Sequence, residues 1–341
     1  RNTVSLRSRH LDERLRQVTD WIQVKVARAA ASVVRTSLAI KPGEQVAVVA
    51  DDGSDFAVVD ALLCEVRAAD AEPTLVVMPE RAKAGAPANS VVASALSGAG
   101  AIIAPTSTGL GFTPTFGEAL KAGARGIVMT GIKSNDLMAG AALADYEEVY
   151  RVTKPLADAI TNGSIGRVTC ANGSDLTVSL EGVVCGVGAS FAREPGQVSG
   201  FPSGEAWNAP KEGTANGVLV ADGSAHMLGI LEEPIRVHFK DGLVTAIEGG
   251  RQASELEQII DGVENGGNLG ELSIGTNRWA RFGGNITEDK KQLGTMHFAL
   301  GNSVVGGNVK SPIHLDLLMN SPTYEVDGQV ILKDRTPQVT M

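Results

Sequence analysis

The chain has 341 residues, 43% of them hydrophobic and 20% charged, which is enough for two domains that each bury a core and fits a soluble globular protein. Its net charge of -9, with no long block of Lys and Arg, argues against nucleic acid or an anionic membrane surface as partner, because binding phosphate requires clustered cations. Three cysteines without a Cys-x-x-Cys spacing argue against a disulfide framework or a zinc knuckle and point to a reducing, cytoplasmic compartment; nothing resembles a signal peptide or a spanning helix.

Leu11, Leu15, Val18, Ile22, Val26 and Ala29 fall three or four apart, which predicts a helix within 10–38 whose apolar stripe packs on a first domain. Lys41-Pro42-Gly43 then turns the chain into a continuous apolar run, Gln45 to Ala50, with the β-branched content of a buried parallel strand. Asp51-Asp52-Gly53-Ser54 reads as the cap of a helix over 55–69. Strands are expected at 74–78, 101–104 and 126–130, separated by helices at 88–97 and 114–122. Such alternation describes a doubly wound α/β domain, placed at 1–155. The glycine-rich Thr108-Gly-Leu-Gly-Phe112 fits neither a dinucleotide fingerprint nor a Walker loop, and a tight turn is the expected reading.

After Thr153-Lys154-Pro155 short alternating runs take over, at 166–170, 176–180, 217–221, 235–239 and 243–247, with an Asp-Gly hairpin signal at Asp241-Gly242. A helix at 252–264 precedes strands around Glu271, His297 and His314, and a hairpin through Asp327-Gly328 closes the chain. The second domain, 156–341, is therefore expected to be α+β.

The candidate chemistry lies in that second part. His314 and Asp316 are two apart in an apolar setting, so on a strand their side chains share a face. His297 comes 17 residues earlier, across a connection containing Gly301, Gly306 and Gly307. Two imidazoles and a carboxylate suit zinc, cobalt, manganese or ferrous iron; the same pair also suits a catalytic dyad or a hydrogen-bonded core histidine. Two further acids stand out: Glu205, in a Pro/Gly-bounded loop leading into a strand, and Glu271, at the start of one. Arg278, Trp279 and Arg281 follow that strand and are candidates for holding a substrate carboxylate and an aromatic ring, with Arg193 a further candidate arginine.

The segments Pro202-Ser-Gly-Glu205, Glu271-Leu-Ser-Ile-Gly-Thr-Asn277, Gly294-Thr-Met-His297-Phe-Ala-Leu-Gly301 and Ser311-Pro-Ile-His314-Leu-Asp316, in this order, resemble the aminopeptidase T family of metallopeptidases. That resemblance implies a cytoplasmic metal-dependent hydrolase of peptide or amide bonds, acting on a small molecule or short peptide and assembling as a homodimer or larger homo-oligomer. Its two divalent ions (zinc, cobalt or manganese) would be held by Glu205, Glu271, His297, His314 and Asp316, with Glu205 or Glu271 as general base. Two departures weaken it. Val304 stands where the family has a tyrosine, and the connection from His297 to His314 is short. In both respects the chain resembles a related branch, the 2,5-dihydroxypyridine 5,6-dioxygenases, which implies one ferrous ion held by two histidines and an aspartate. Glu271, however, aligns with that branch's second histidine. The alternative expectation is thus a mononuclear iron ring-cleaving dioxygenase that uses His297, His314 and one of Asp316 or Glu271 as ligands, and the third is a metal-free binding protein.

Overall fold

Val46 to Ala50 are buried on both faces, as a central parallel strand requires. They belong to β1 (Gln45–Asp51), which in this computed structural model leads through α1 (Phe56–Ala68), β2 (Glu72–Met78), α2 (Ser90–Ser97), β3 (Ala101–Ala104) and α3 (Pro114–Lys121) to β4 (Arg125–Val128). The structure describes residues 21–22, 24–82, 85–111, 113–304 and 306–339. Leu11, Leu15 and Val18 of the predicted first helix lie outside them, whereas Val26 and Ala29 are fully buried and the helix ends in a π-helical stretch, Ser32–Ser37.

The α1 N-cap is Asp55, whose carboxylate accepts from Ala57 N, rather than the expected Asp51–Ser54 run. Asp51 has a different task. Its carboxylate accepts hydrogen bonds from Ser107 N and Oγ, Ser54 Oγ and Gly53 N, tying the end of β1 to the turn after β3. Between β1 and β3 the strand order reverses, the usual ligand crevice of such sheets. Here that crevice is bridged by a carboxylate that repels phosphate, which agrees with reading the glycine-rich segment from Thr108 as a turn; Phe112 lies outside the described residues.

At the opposite end of β4, Arg125 forks onto both carboxylate oxygens of Glu44 and onto Leu38 O. Burial works against the Glu44 charge, but the hydrogen bonds from Arg125 and from Lys41 N outweigh it and hold the carboxyl below its ordinary 4.5. A depressed carboxyl stabilises the fold above its unfolded-state pKa, and that contribution is lost as pH falls through the folded value. Glu44→Gln is accordingly expected to cost about 1.5–3 kcal/mol in urea unfolding at pH 7, with the gap to the wild type closing as the pH is lowered through 4. A gap that is the same at both pH values would refute this.

The chain continues through α4 (Tyr146–Asn162), β5 (Ile165–Thr169), β6 (Asp175–Ser179) and β7 (Gly186–Gly188) to β8 (Val198–Gly200). Pro155 lies inside α4 rather than ending a domain. Burial of Leu156, Ala157 and Ile160 outweighs the roughly 3 kcal/mol that an interior proline costs a helix. The chain divides into two compact units, one Arg1–Tyr146 with Ser190–Pro202, the other Glu147–Ala189 with Ser203–Met341. The returning piece carries β8, which pairs in parallel with β4 and completes a five-stranded sheet of order β2-β1-β3-β4-β8.

In the second unit the chain runs on through β9 (Glu205–Asn208), β10 (Asn216–Ala221), β11 (Ser224–Ala225), β12 (Gly229–Ile230), β13 (Ile235–Lys240), β14 (Leu243–Glu248) and α5 (Arg251–Ile260). It ends with β15 (Leu269–Gly275), β16 (Met296–Gly301), β17 (His314–Met319), β18 (Thr323–Val326), β19 (Gln329–Lys333) and β20 (Thr336–Pro337). Two antiparallel sheets result, β14-β13-β10-β6-β5-β18-β19-β20 and β12-β11-β17-β16-β15-β9-β7. Phe298, Leu300 and Leu317 of the second sheet share one core with Leu176, Leu219, Val237 and Tyr324 of the first. The chain thus has the expected fold class, a parallel α/β unit followed by an α+β unit.

Candidate metal centre

All six residues of β16 are buried, yet they alternate in kind. Met296, Phe298 and Leu300 enter the hydrophobic core; His297, Ala299 and Gly301 therefore share the other face. The register carries this division across the sheet, since Ala299 lies opposite both Glu271 and Asp316, Gly301 opposite His314, and Gly275 opposite Glu205. Acids and imidazoles on four strands thus surround positions filled by Ala299, Gly301, Ser273 and Gly275, whose small side chains leave space between them.

His297 Nε2 lies 3.3 Å from Glu271 Oε1, 3.8 Å from Glu205 Oε2 and 3.9 Å from Asp316 Oδ1. His314 Nε2 lies 3.0 Å from Glu271 Oε2 and 3.4 Å from Asp316 Oδ1, while its Nδ1 is held by Asn302 O at 2.8 Å. A ring fixed at one nitrogen presents the other to the site, the arrangement typical of metal-ligating histidines. Glu205 Oε2, Asp316 Oδ1 and both ring nitrogens of His297 are buried without a hydrogen-bond partner. Orphaned polar atoms of this kind are costly, and their convergence fits a cation that the ligand atoms would share. Glu271, His314 and Asp316 offer ligand atoms within 4.8 Å of one another, as do Glu205, Glu271 and His297.

Burial pushes the His314 pKa down, but the neighbouring carboxylates of Asp316 and Glu271 prevail and raise it to about 10. Burial likewise opposes the charges of Glu271 and Asp316, and both are nonetheless held well below the carboxylate range, Glu271 by the two histidines and Lys290, Asp316 chiefly by Lys290.

Two site residues were illegible in the sequence, where Asp289-Lys290-Lys291 looks like a solvated charge run. Both lysines are nearly enclosed: Lys290 Nζ donates to Asp316 Oδ2 at 2.8 Å, and Lys291 Nζ donates to Glu205 Oε1. Their turn is pinned on both sides. Asp289, fully buried, accepts from Ser224 Oγ and Gly283 N, and Asn277 N donates to Lys291 O. Gly275 makes this possible, because a Cβ there would stand 2.1 Å from Gln292 O and 2.9 Å from Lys290 O. Trp207 was also missed. It lies two residues from Glu205 and hence on the same face, its ring laid over Gly186, where a Cβ would come within 2.2 Å of it.

The softer sequence candidates are placed differently. Arg278 pairs with Glu148 at 3.0 Å and stacks over Trp279, and Arg281 pairs with Glu288 at 3.6 Å, so both arginines direct their charge to acids outside the five-residue cluster. Arg193 belongs to the first unit, where it donates to Thr36 O and lies over Phe191. Val304 donates its backbone N–H to Gly270 O and brings no phenol to the site.

Residues 27–338 match the profile of the 2,5-dihydroxypyridine 5,6-dioxygenase (NicX) family. A 2,5-dihydroxypyridine 5,6-dioxygenase of Pseudomonas putida is 30% identical over 158 residues, a match that spans 42% of this chain and only 45% of that relative. The solved 2,5-dihydroxypyridine dioxygenase of P. putida KT2440 superposes with a TM-score of 0.82 at 20% identity, covering 92% of this chain and 97% of that one. AmpT of Thermus thermophilus superposes with a TM-score of 0.67 at 16% identity, covering 92% and 99%. At such identities both superpositions show a shared fold and no more. The aminopeptidase expectation therefore survives as architecture, and the profile decides between the two branches: this chain belongs to the 2,5-dihydroxypyridine 5,6-dioxygenase family.

Proposed function

We propose that the protein is a mononuclear non-haem iron dioxygenase that opens the ring of a dihydroxypyridine-like aromatic. The convergence of Glu271, His314 and Asp316 within 4.8 Å, in a chain of this family, carries the reading. These three side chains, one imidazole and two carboxylates, would hold one ferrous ion. When bound, the ion supplies the one-electron chemistry that lets dioxygen react with an aromatic ring. Glu271 stands where the resemblance places a histidine, so the ligand set carries one more negative charge, and Lys290 beside it offsets that charge. His297, with an unpartnered Nε2 3.3 Å from Glu271, is placed to take a proton from a ring hydroxyl at that nitrogen. Trp207 offers an apolar face to the ring.

The test combines elemental analysis with oxygen-electrode measurements on protein loaded anaerobically with Fe(II). Near one iron per chain is expected, with oxygen uptake on 2,5-dihydroxypyridine. Glu271→Ala should lose iron and uptake together, whereas Glu205→Gln should keep iron near one. Two tightly held ions, hydrolysis of aminoacyl amides and no oxygen uptake would return the protein to the hydrolase reading.

A further inference from the structure

We propose that Lys290 and Lys291 take the place of a second divalent ion, so that this dinuclear-looking ligand set is closed to all but one. The inference rests on the metal-centre reading above, but not on what reaction the centre performs.

Two-ion centres bring the metals about 3.5–4 Å apart and balance their charge with carboxylates, some of which bind both ions. Glu205, Glu271, His297, His314 and Asp316 look sufficient for that. The arrangement of their oxygens restricts bridging to Glu271, whose Oε1 faces His297 and whose Oε2 faces His314. Asp316 has given Oδ2 to Lys290, and Glu205 has given Oε1 to Lys291. Each acid is left with one unpartnered oxygen, Asp316 Oδ1 and Glu205 Oε2, and both of these lie within 4 Å of His297 Nε2. Neither acid can span two ions without breaking an ion pair that is itself buried.

Charge leads to the same answer. Three carboxylates bring three negative charges, and the two ammoniums cancel two of them. One divalent ion then leaves a single positive excess, while two would leave three positive charges among carboxylates and lysines that are each no more than 14% exposed, which is electrostatically costly. The lysines are also fixed in place. Backbone hydrogen bonds from Asn277 N to Lys291 O, Leu293 N to Asn277 O and Gly275 N to Thr295 O hold their turn against the end of β15, and Asp289 anchors it from the other side. A flexible surface lysine would swing away from an incoming ion; these are not free to do so.

The experiment counts ions without reference to turnover. Metal-free protein is titrated with Mn(II), and bound ion is measured by equilibrium dialysis and by the coupled Mn–Mn signal in electron paramagnetic resonance. Wild type should saturate at one ion without the coupled signal. Lys290→Met and Lys291→Met, singly and together, remove charge with little change of volume and should admit a second ion, the double variant approaching two and showing the coupled signal. Lys290→Arg keeps the charge and should stay at one. Circular dichroism selects the variants that fold. The wild-type count is decisive whichever of them do: two ions in wild type overturns the proposal, and so do folded methionine variants that still saturate at one. A protein that holds one ion but consumes no oxygen leaves the lysine assignment standing and removes the dioxygenase reading, while oxygen uptake with two ions bound does the reverse.

Discussion

Asp316→Ala is expected to abolish metal retention and, in the metal-free protein, to cost about 3–5 kcal/mol of stability. Spacing alone treats Asp316 and His314 as equivalent ligands, but their surroundings differ. The Asp316 carboxylate is the partner of Lys290, whose ammonium is nearly enclosed and whose pKa burial would otherwise lower. Removing the carboxylate leaves a buried charge uncompensated, and that penalty, rather than the loss of an attraction, sets the size of the effect. His314 is more exposed, with 29% of its side chain accessible, and it anchors no buried cation. His314→Ala should therefore lose metal at a smaller cost in stability. Guanidinium unfolding of both metal-free variants, alongside elemental analysis, checks the pair. Equal stabilities would show that Lys290 finds another partner, and metal retained in either variant would remove that residue from the ligand set.

Phe298→Ala should cost about 3–5 kcal/mol while leaving ligand identity untouched. Phe298 is the neighbour of His297, yet it points to the other face of the sheet, where it is fully buried and meets Phe239 edge-on with ring centroids 6.2 Å apart. The cost is a cavity in the core shared by the two antiparallel sheets. Below its lowered melting temperature the variant should still bind metal at the wild-type stoichiometry. Loss of binding in the folded variant would mean that the ligand face depends on the packing behind it.

How much of this was readable in advance follows from the signals each element carries. The four parallel strands and the helices between them announce themselves by long apolar runs and periodicity, and they fall within a few residues of their predicted positions. The five candidate ligands were legible because His and acid residues at strand spacing in apolar surroundings are unusual, and the structure brings all five together. Lys290 and Lys291 were not, because a lysine pair in a polar stretch looks the same whether it faces water or a carboxylate. What buries it is the absence of a side chain at Gly275, sixteen residues away in sequence, and no local pattern reports that. Strand β8 failed for another reason: at three residues, Val198–Gly200 is too short to display alternation.

The late arrival of β8 has a consequence for synthesis. The first unit's sheet is completed by residues 198–200, so during translation its first four strands leave the ribosome some seventy residues before the strand that covers the β4 edge. Through that interval Arg125–Val128 present an unpaired parallel edge beside the buried Ile127, a template for the wrong partner chain. A fragment ending at 155 would carry that open edge permanently, and fragments intended to express the first unit alone need 190–202 joined back to it.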